Sequence, residues 1–430
     1  MISMSDSFLT AASHRSRFSP SAPGSGGRPR SAIVIGAGVV GVATAYALVR
    51  RQIAVTLVDA ANGAGMGTSR ANGAQLSYVY TDALASPSLL RRAPGLLLGL
   101  DPVFRWRLPL DAHYFLWLLK FVRNAAPASF RANTLEGLRL GLESRAALHS
   151  LLEQHPLDFA HRRAGKIHVH DDPSTFAAAG GIVKLKRQHG AHQELLTYRE
   201  ALDVEPALSC RAGRFAGAVH SPQEEVGDPF RFCQAMLALL RDQYAVDVRL
   251  GTPILQVHDA GRRAEAVTAV GETLSAETLV LCGGMQSGAL MRSLGCGDTL
   301  VPMKGYSFNA PSGNGVPRHS ITDVARKWVM CQLGETVRVA GLAELGMREL
   351  SVDPRRLATL VTSAREAMPS AADYDRASDG WAGLRPMTPT SLPVVRCLSP
   401  RLALNVGHGM LGWTFAMGTA ERLARQIAGD

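Results

Sequence analysis

Three glycines, Gly36-x-Gly38-x-x-Gly41, stand between the apolar run Ala32–Ile35 and a stretch of helical composition, Val39–Arg51. No other feature of the 430 residues restricts the fold as strongly. A second strand-like run, Ala54–Asp59, follows at once, so the segment reads as strand, tight turn, helix and parallel strand. Gly36 serves the turn, Gly38 lets the backbone approach a pyrophosphate, and Gly41 lets the helix lie close on the strand. Val39 and Val40 open the helix, and its first amides and partial positive charge face the phosphates. Asp59 ends the second strand, where a carboxylate accepts hydrogen bonds from ribose hydroxyls and repels a 2′-phosphate, which argues against NADP.

This unit alone does not separate NAD from FAD. Thr68-Ser69-Arg-Ala-Asn72 offers hydroxyls and an amide where a pyrophosphate and a ribityl chain would run on. A late strand, Thr278–Leu281, ends in Cys282-Gly283-Gly284, as a strand approaching a nucleotide would. Near the C-terminus a second glycine-rich loop, Gly407-His408-Gly409-Met410-Leu411-Gly412-Trp413, leads into a final helix, Thr414 to about Ile427. A helix N-terminus aimed at a flavin pyrimidine edge stabilises the negative charge that develops on reduction. The two glycine-rich loops together favour a flavin.

Composition removes other classes. The net charge of +10 is partly a property of residues 1–30, where four arginines face one aspartate in a Ser-, Pro- and Gly-rich stretch read as a disordered tail. The rest carries no long basic run and no recognition motif, so nucleic acid is not an expected partner. Six cysteines lack disulfide or C-x-x-C spacing, which points to buried, inert thiols in a reducing, cytoplasmic compartment. No apolar run reaches the roughly 20 residues needed to cross a bilayer. The nearest, Tyr114–Val122, reads as a packed helix before it reads as an interfacial anchor. No metal is expected: His168-x-His170 is ordinary strand alternation.

Along the chain, Leu89 to about Leu152 turns helical, and 165–170 and 215–220 look like strands. Asp228 and Pro229 start a helix to Tyr244. Val246–Leu250, Pro253–Val257, Ala264–Ala269 and Glu272–Ser275 resemble a meander. Met303–Phe308, Trp328–Leu333 and Val337–Leu342 suggest a second sheet before a helix from Pro354 to Met368. The expected fold class is α/β: a Rossmann-like FAD-binding domain with a second, discontinuous α+β substrate domain on a mixed sheet. The expected division assigns 31–88, 225–300 and 380–430 to the cofactor domain and 89–224 and 301–379 to the substrate domain, with the active site between them.

From Ala32 to Gly429 the chain resembles bacterial D-amino-acid dehydrogenases of the small-subunit type, within the FAD-dependent D-amino-acid oxidase-like (DAO) superfamily. The resemblance is carried by Val34–Val42, Thr68-Ser-x-Ala-Asn72, Gly227-Asp228, Lys304-Gly-Tyr-Ser307, Gly383-Leu-Arg-Pro-Met-Thr-Pro389 and Gly407-His-Gly-x-Leu-Gly-Trp-Thr414. It implies that Gly36, Gly38, Asp59, Ser69, Gly283 and the Gly407–Trp413 loop hold FAD. It further implies that Arg385 pairs with the substrate carboxylate, as a planar guanidinium can do bidentately. Tyr306 would line the substrate face of the flavin, and Lys304 would reach it through water.

The activity so implied is oxidative deamination of a D-amino acid to a 2-oxo acid and ammonia, by hydride transfer from Cα to flavin N5, with electrons passed to a quinone-type acceptor. It leaves open a peripheral contact with the cytoplasmic face of the inner membrane. The alternative is a sarcosine, glycine or D-hydroxyproline-type amine oxidase or dehydrogenase of the same superfamily. Arg70, Thr390, Ser391 and Arg396 depart from the family pattern and point away from D-alanine toward a specialised substrate.

Overall fold

The computed structural model describes residues 28–98, 101, 103–296 and 300–430. The tail expected over residues 1–30 lies, for residues 1–27, outside the described residues.

Six strands make the nucleotide sheet, in the order Val394–Ser399, Leu402–Val406, Thr278–Leu281, Ser31–Ile35, Ala54–Val58, Asp247–Arg249. Every neighbouring pair is parallel except the first. The helix Val39–Val49 is apolar on all sides, which suits only a fully enclosed position. It takes one between the sheet and the helices Pro229–Tyr244 and Gly412–Ala428. Its one polar core side chain, Thr44, returns its hydroxyl to the Val40 carbonyl at 2.7 Å. Asp228 caps the helix Pro229–Tyr244, accepting from the Phe230 and Arg231 amides.

Asp247–Arg249, read as the first strand of a meander, instead joins the nucleotide sheet parallel to Ala54–Val58. The helix before it ends at Ala245 in a left-handed conformation and returns the chain to that sheet edge, completing a crossover. The meander proper is the three antiparallel strands Ile254–Asp259, Ala264–Thr268 and Thr273–Ala276.

The second sheet is mixed. Its path is Ser378–Met387, Val301–Pro311, Thr336–Leu345, Trp328–Leu333, Ser320–Asp323, Lys166–His170, Gly217–Ser221, Glu194–Leu196, and Phe104–Trp106 adds to Thr336–Leu345. One face packs Phe308, Trp328 and Val339 beneath Leu360 of the helix Pro354–Ala367. The helical insert buttresses the edge near Met387. There Trp117 stacks on Phe121 with ring centroids 4.9 Å apart and donates its indole N–H to the Met387 carbonyl at 3.1 Å.

Tyr114–Val122 is indeed helical, within Ala112–Asn124. It buries Tyr114, Trp117 and Phe121 but leaves Phe115, Leu116, Leu119 and Val122 exposed. No helix among the described residues is long and apolar enough to cross a membrane. All six cysteines are free. Cys233, Cys282 and Cys331 are buried, but Cys210 and Cys397 are exposed, contrary to the uniform burial expected.

At Gly41 a Cβ would overlap the Gly36 carbonyl oxygen, a backbone atom with nowhere to go. Gly41→Ala is expected to cost about 4 kcal/mol or more, the range of backbone-level overpacking, and to appear as a lower thermal midpoint. Gly181→Ala, in a helix with open space around the added methyl, serves as the control and leaves the midpoint unchanged or slightly raised.

Candidate active site

Four parallel strands of the nucleotide sheet end at one cavity of about 1220 Å³, enclosed on its far side by the second sheet. Ser31–Ile35 delivers Gly36, Gly38, Val39 and Val40; Ala54–Val58 delivers Asp59; Thr278–Leu281 delivers Gly283; and Leu402–Val406 delivers the segment His408–Trp413. All of these border the cavity, which lies outside the carboxyl ends of parallel strands where α/β sheets hold their ligands. Gly41 and Gly407 do not border it. Gly41 packs helix against turn, while Gly407 holds φ +76° against Thr388, so both shape the loops from behind.

The local geometry suits a pyrophosphate. Gly36 adopts φ +109°, and a Cβ there would stand 2.8 Å from the Cys282 backbone. Gly38 lends its helix no side-chain cap. Asp59 accepts from the Ala37 amide at 2.6 Å and the Ala61 amide at 2.7 Å, which stiffens the turn. Ser69 Oγ accepts from the Val39 amide at 3.2 Å. Thr68 donates to the Leu384 carbonyl at 2.9 Å, and Asn72 accepts from the Ala74 amide at 2.8 Å. These two side chains therefore tie the crossing segment to the second sheet and to itself. Ser287 and Asn405 border the cavity, and their Oγ and Oδ1 atoms are buried with no hydrogen-bond partner among the described residues. Buried polar atoms are rarely left so unless a ligand completes them.

At the other loop, the helix Gly412–Ala428 begins without a side-chain cap, so its amide end opens to the cavity. His408 behind it is held far on the neutral side, its pKa pushed down to about 3 by burial. Thr419 spends its hydroxyl proton on the Ala416 carbonyl at 3.1 Å, so His408 Nε2, 3.0 Å away, is the donor between them. Trp413 donates to the Gly227 carbonyl at 3.1 Å and packs its ring on Phe232.

Arg385 enters from the second sheet, on Ser378–Met387. Its cross-strand neighbourhood is built of glycine: Gly305 pairs with Gly383. A Cβ on Gly305 would overlap the guanidinium, and one on Gly383 would overlap the Trp381 ring, so both side chains lie flat across the sheet toward the cavity. Nη1 donates to the Leu342 carbonyl at 3.3 Å. Leu342 has φ +57° beside a register shift in its strand, a bulge that re-aims its backbone. Among the described residues no carboxylate pairs with Arg385. What exposure it keeps is toward the cavity it borders, and burial pushes its pKa down to about 10.

The other residues of that motif are not brought to the same place. Side chains alternate faces along a strand, so Tyr306 and Lys304 sit opposite to Gly305. Tyr306 borders the cavity through its place in the strand, but its hydroxyl donates to Glu344 at 3.2 Å, itself held by Arg356 at 2.8 Å. Lys304 Nζ donates to the Ser351 carbonyl at 2.5 Å. Arg70 lies over the Phe230 ring at 4.4 Å, and Arg396 is exposed on its strand; neither borders the cavity. Ser391, at φ +67°, accepts from the Leu84 amide at 2.9 Å, while Thr390 caps the turn to Leu392. Sequence reasoning missed Gly305, Trp381, Leu342, Ser287 and Asn405 as site residues. Only Trp381, two places before Gly383 and four before Arg385 on the same strand face, carried a readable signal.

The parallel sheet, its glycine turns and the enclosed cavity define the fold class of dinucleotide-dependent enzymes. Residues 31–426 match the family described as FAD dependent oxidoreductase, DAO. D-amino acid dehydrogenase 2 of Ralstonia nicotianae is 40% identical over 410 residues, covering 92% of this chain and 96% of that protein. D-amino acid dehydrogenase 2 of Pseudomonas aeruginosa is 40% identical over 399 residues, covering 92% and 94%. Among solved structures, glycine oxidase from Bacillus cereus superposes with a TM-score of 0.70 at 18% identity, over 94% of this chain and 95% of that one. L-proline dehydrogenase from P. horikoshii gives 0.72 at 15%, over 94% of each. The chain belongs to the FAD-dependent oxidoreductase (DAO) family, and FAD is its cofactor.

Acid should weaken the fold through His408. Its folded pKa, about 3, lies below the ordinary histidine value near 6.5. The unfolded chain therefore binds the extra proton between those values, and stability falls as pH drops through that window. The thermal midpoint is expected to fall between pH 7 and pH 5, and to fall less in His408→Gln.

Proposed function

We propose that this enzyme oxidises D-amino acids at Cα to 2-oxo acids and ammonia and hands the electrons to a quinone-type acceptor. The observation that carries the reading is Arg385: a guanidinium enclosed in the cavity with a carbonyl, and no acid, against it. A buried cation left without an anion is costly unless a ligand supplies one, and an α-carboxylate matches its fork bidentately. The two relatives at 40% identity, both named as D-amino acid dehydrogenases, favour an amino acid of D configuration over glycine or sarcosine.

FAD, when bound, supplies the acceptor for the Cα hydrogen and its electron pair. The chain's own work is positional. Gly36, Gly38 and the amides at Val39 and Val40 would hold the pyrophosphate, with Asp59 on the ribose. The uncapped start of Gly412–Ala428 would lie toward the flavin ring, where helix-end amides stabilise charge gained on reduction. Arg385 fixes the carboxylate, and Trp381 beside it limits how the substrate turns. The amine enters neutral, and the imino acid produced is hydrolysed by water, so no side-chain base is demanded. Arg385→Leu is expected to lower kcat/KM for a D-amino acid by about a thousandfold, the scale of a lost buried charge-assisted pair. FAD content should stay normal, with Arg385→Lys in between. A near-normal kcat/KM for Arg385→Leu removes the assignment.

The acceptor side of the reading is supported by the surface. Leu97, Leu98, Leu110, Phe115, Leu116, Leu119 and Val122 are exposed within one short stretch of chain. Arg107, Lys120 and Arg123 are exposed in the same stretch, whereas Asp101 and Asp111 are engaged by Lys327 and Arg348. Apolar side chains rimmed by cations suit the interface of an anionic membrane, where a quinone resides. The helix Pro87–Leu97 places Leu89 and Leu96 on the cavity wall, so this face adjoins the site. Vesicles containing anionic lipid should bind the enzyme. Leu116→Glu with Leu119→Glu should abolish that binding, with turnover of a soluble dye as the folding control. Undiminished binding by the double variant contradicts this face as the contact.

A further inference from the structure

The cavity runs on past Arg385 along the second sheet. The guanidinium reaches across to Leu342, on Thr336–Leu345. The next strands in the sheet are Trp328–Leu333, Ser320–Asp323 and Lys166–His170. Thr322 pairs with Val329 on one side and His168 on the other. At strand spacings of about 4.8 Å, Thr322 stands roughly 10 Å from the Leu342 strand. That is about the distance needed to fit a carboxylate on Arg385, a side chain of a few bonds, and one hydrogen bond.

The far end is polar and finished in an unusual way. Thr322 is buried and borders the cavity, yet its hydroxyl has no partner among the described residues. Tyr80 forms the adjacent wall, its ring centroid 3.9 Å from that of His168. Lys166 Nζ lies 4.7 Å from the Tyr80 ring centroid and donates to Ser77 Oγ at 2.7 Å. Lys186 donates to Asp82 at 2.9 Å and to the Val79 carbonyl at 2.8 Å. Glu224 accepts from the Tyr78 and Val79 amides at 2.6 and 2.8 Å. Lys166 and Asp82 border the cavity here, with Lys186 and Glu224 behind them, and Asp323 and Lys327 beside them are already paired with Arg211 and Asp101, so this end carries donors and acceptors with its charges matched.

We propose that this end of the cavity, with the Thr322 hydroxyl at its centre, selects D-amino acids whose side chain is uncharged and ends in a hydrogen-bonding group, an amide foremost. The inference rests on the amino-acid oxidation proposed above and adds the substrate class. A hydrocarbon side chain leaves the Thr322 hydroxyl buried and unpaired, the situation by which polar pockets reject apolar isosteres. A charged side chain upsets a cluster whose charges already balance.

The test uses the FAD-loaded enzyme and anaerobic reduction of its flavin by D-glutamine, D-norleucine, D-glutamate and D-lysine. D-Glutamine is expected to exceed its near-isostere D-norleucine by about tenfold or more in kcat/KM, a hydrogen-bond-sized difference, and to exceed both charged substrates. Thr322→Val, which keeps shape and removes the hydroxyl, should bring the D-glutamine to D-norleucine ratio close to one, while Thr322→Ser should keep it. Retained FAD content shows that each variant is folded. Equal or better use of D-norleucine, or a ratio unmoved in Thr322→Val, overturns the inference, as does a faster charged substrate. Reduction by all four at similar rates overturns the selectivity alone. Reduction by no D-amino acid overturns the reaction assigned to the site, and this inference with it.

Discussion

A guanidinium without a counter-charge, laid over Gly305 on the neighbouring strand, organises this molecule. Arg385 can lie over the sheet only because Gly305 has no side chain, and the bulge at Leu342 turns one carbonyl, not a carboxylate, toward it. The second sheet is otherwise ordinary: its outer face is sealed by Phe308, Trp328, Val339 and Leu360. That sealing makes a strained, half-satisfied strand face tolerable, because a few kcal/mol of local cost can be carried by a large packed layer. The helical insert adds to it by clamping the Met387 end through Trp117.

The two sheets border the cavity from opposite sides, and the segment from Thr68 to Asn72 crosses between them. Thr68 reaches the Leu384 carbonyl, next to Arg385, while Ser69 touches the first amide of the glycine-rich helix. Ser307 closes the crossing by donating to the Ala71 carbonyl at 2.6 Å. The position of the guanidinium relative to the glycine-rich turn is thereby set by three hydrogen bonds of 2.6 to 3.2 Å. Catalysis by positioning needs that rigidity, since small misplacements of a reacting atom cost large factors in rate.

What the sequence disclosed follows the range of the interactions involved. The Gly36–Gly41 turn, the cap at Asp228 and the buried helix Val39–Val49 are local, so spacing alone revealed them. Asp247–Arg249 was misread because its partner, Ala54–Val58, lies far back in the chain, and nothing nearby marks a sheet edge. Tyr306 was legible as a neighbour of the cavity, but the partner of its hydroxyl was not. One residue from Gly305 in a strand is the opposite face, and its hydroxyl belongs to Glu344. Thr322 was invisible for a stronger reason: its place beside the cavity depends on the pairing of several strands drawn from distant parts of the chain. The departures at Arg70 and Arg396 fall outside the cavity, so the specialised substrate they suggested has to be sought at the far end of the pocket instead.

In the reaction proposed for this enzyme, recognition of an anion, not of an amine, brings the substrate to the flavin. Anaerobic reduction of the holoenzyme by a D-amino acid and by the matching primary amine without its carboxylate tests this most directly. Bleaching of the yellow cofactor by the amino acid, with the amine inert at the same concentration, is the predicted result. Comparable bleaching by both would mean that Arg385 holds something else.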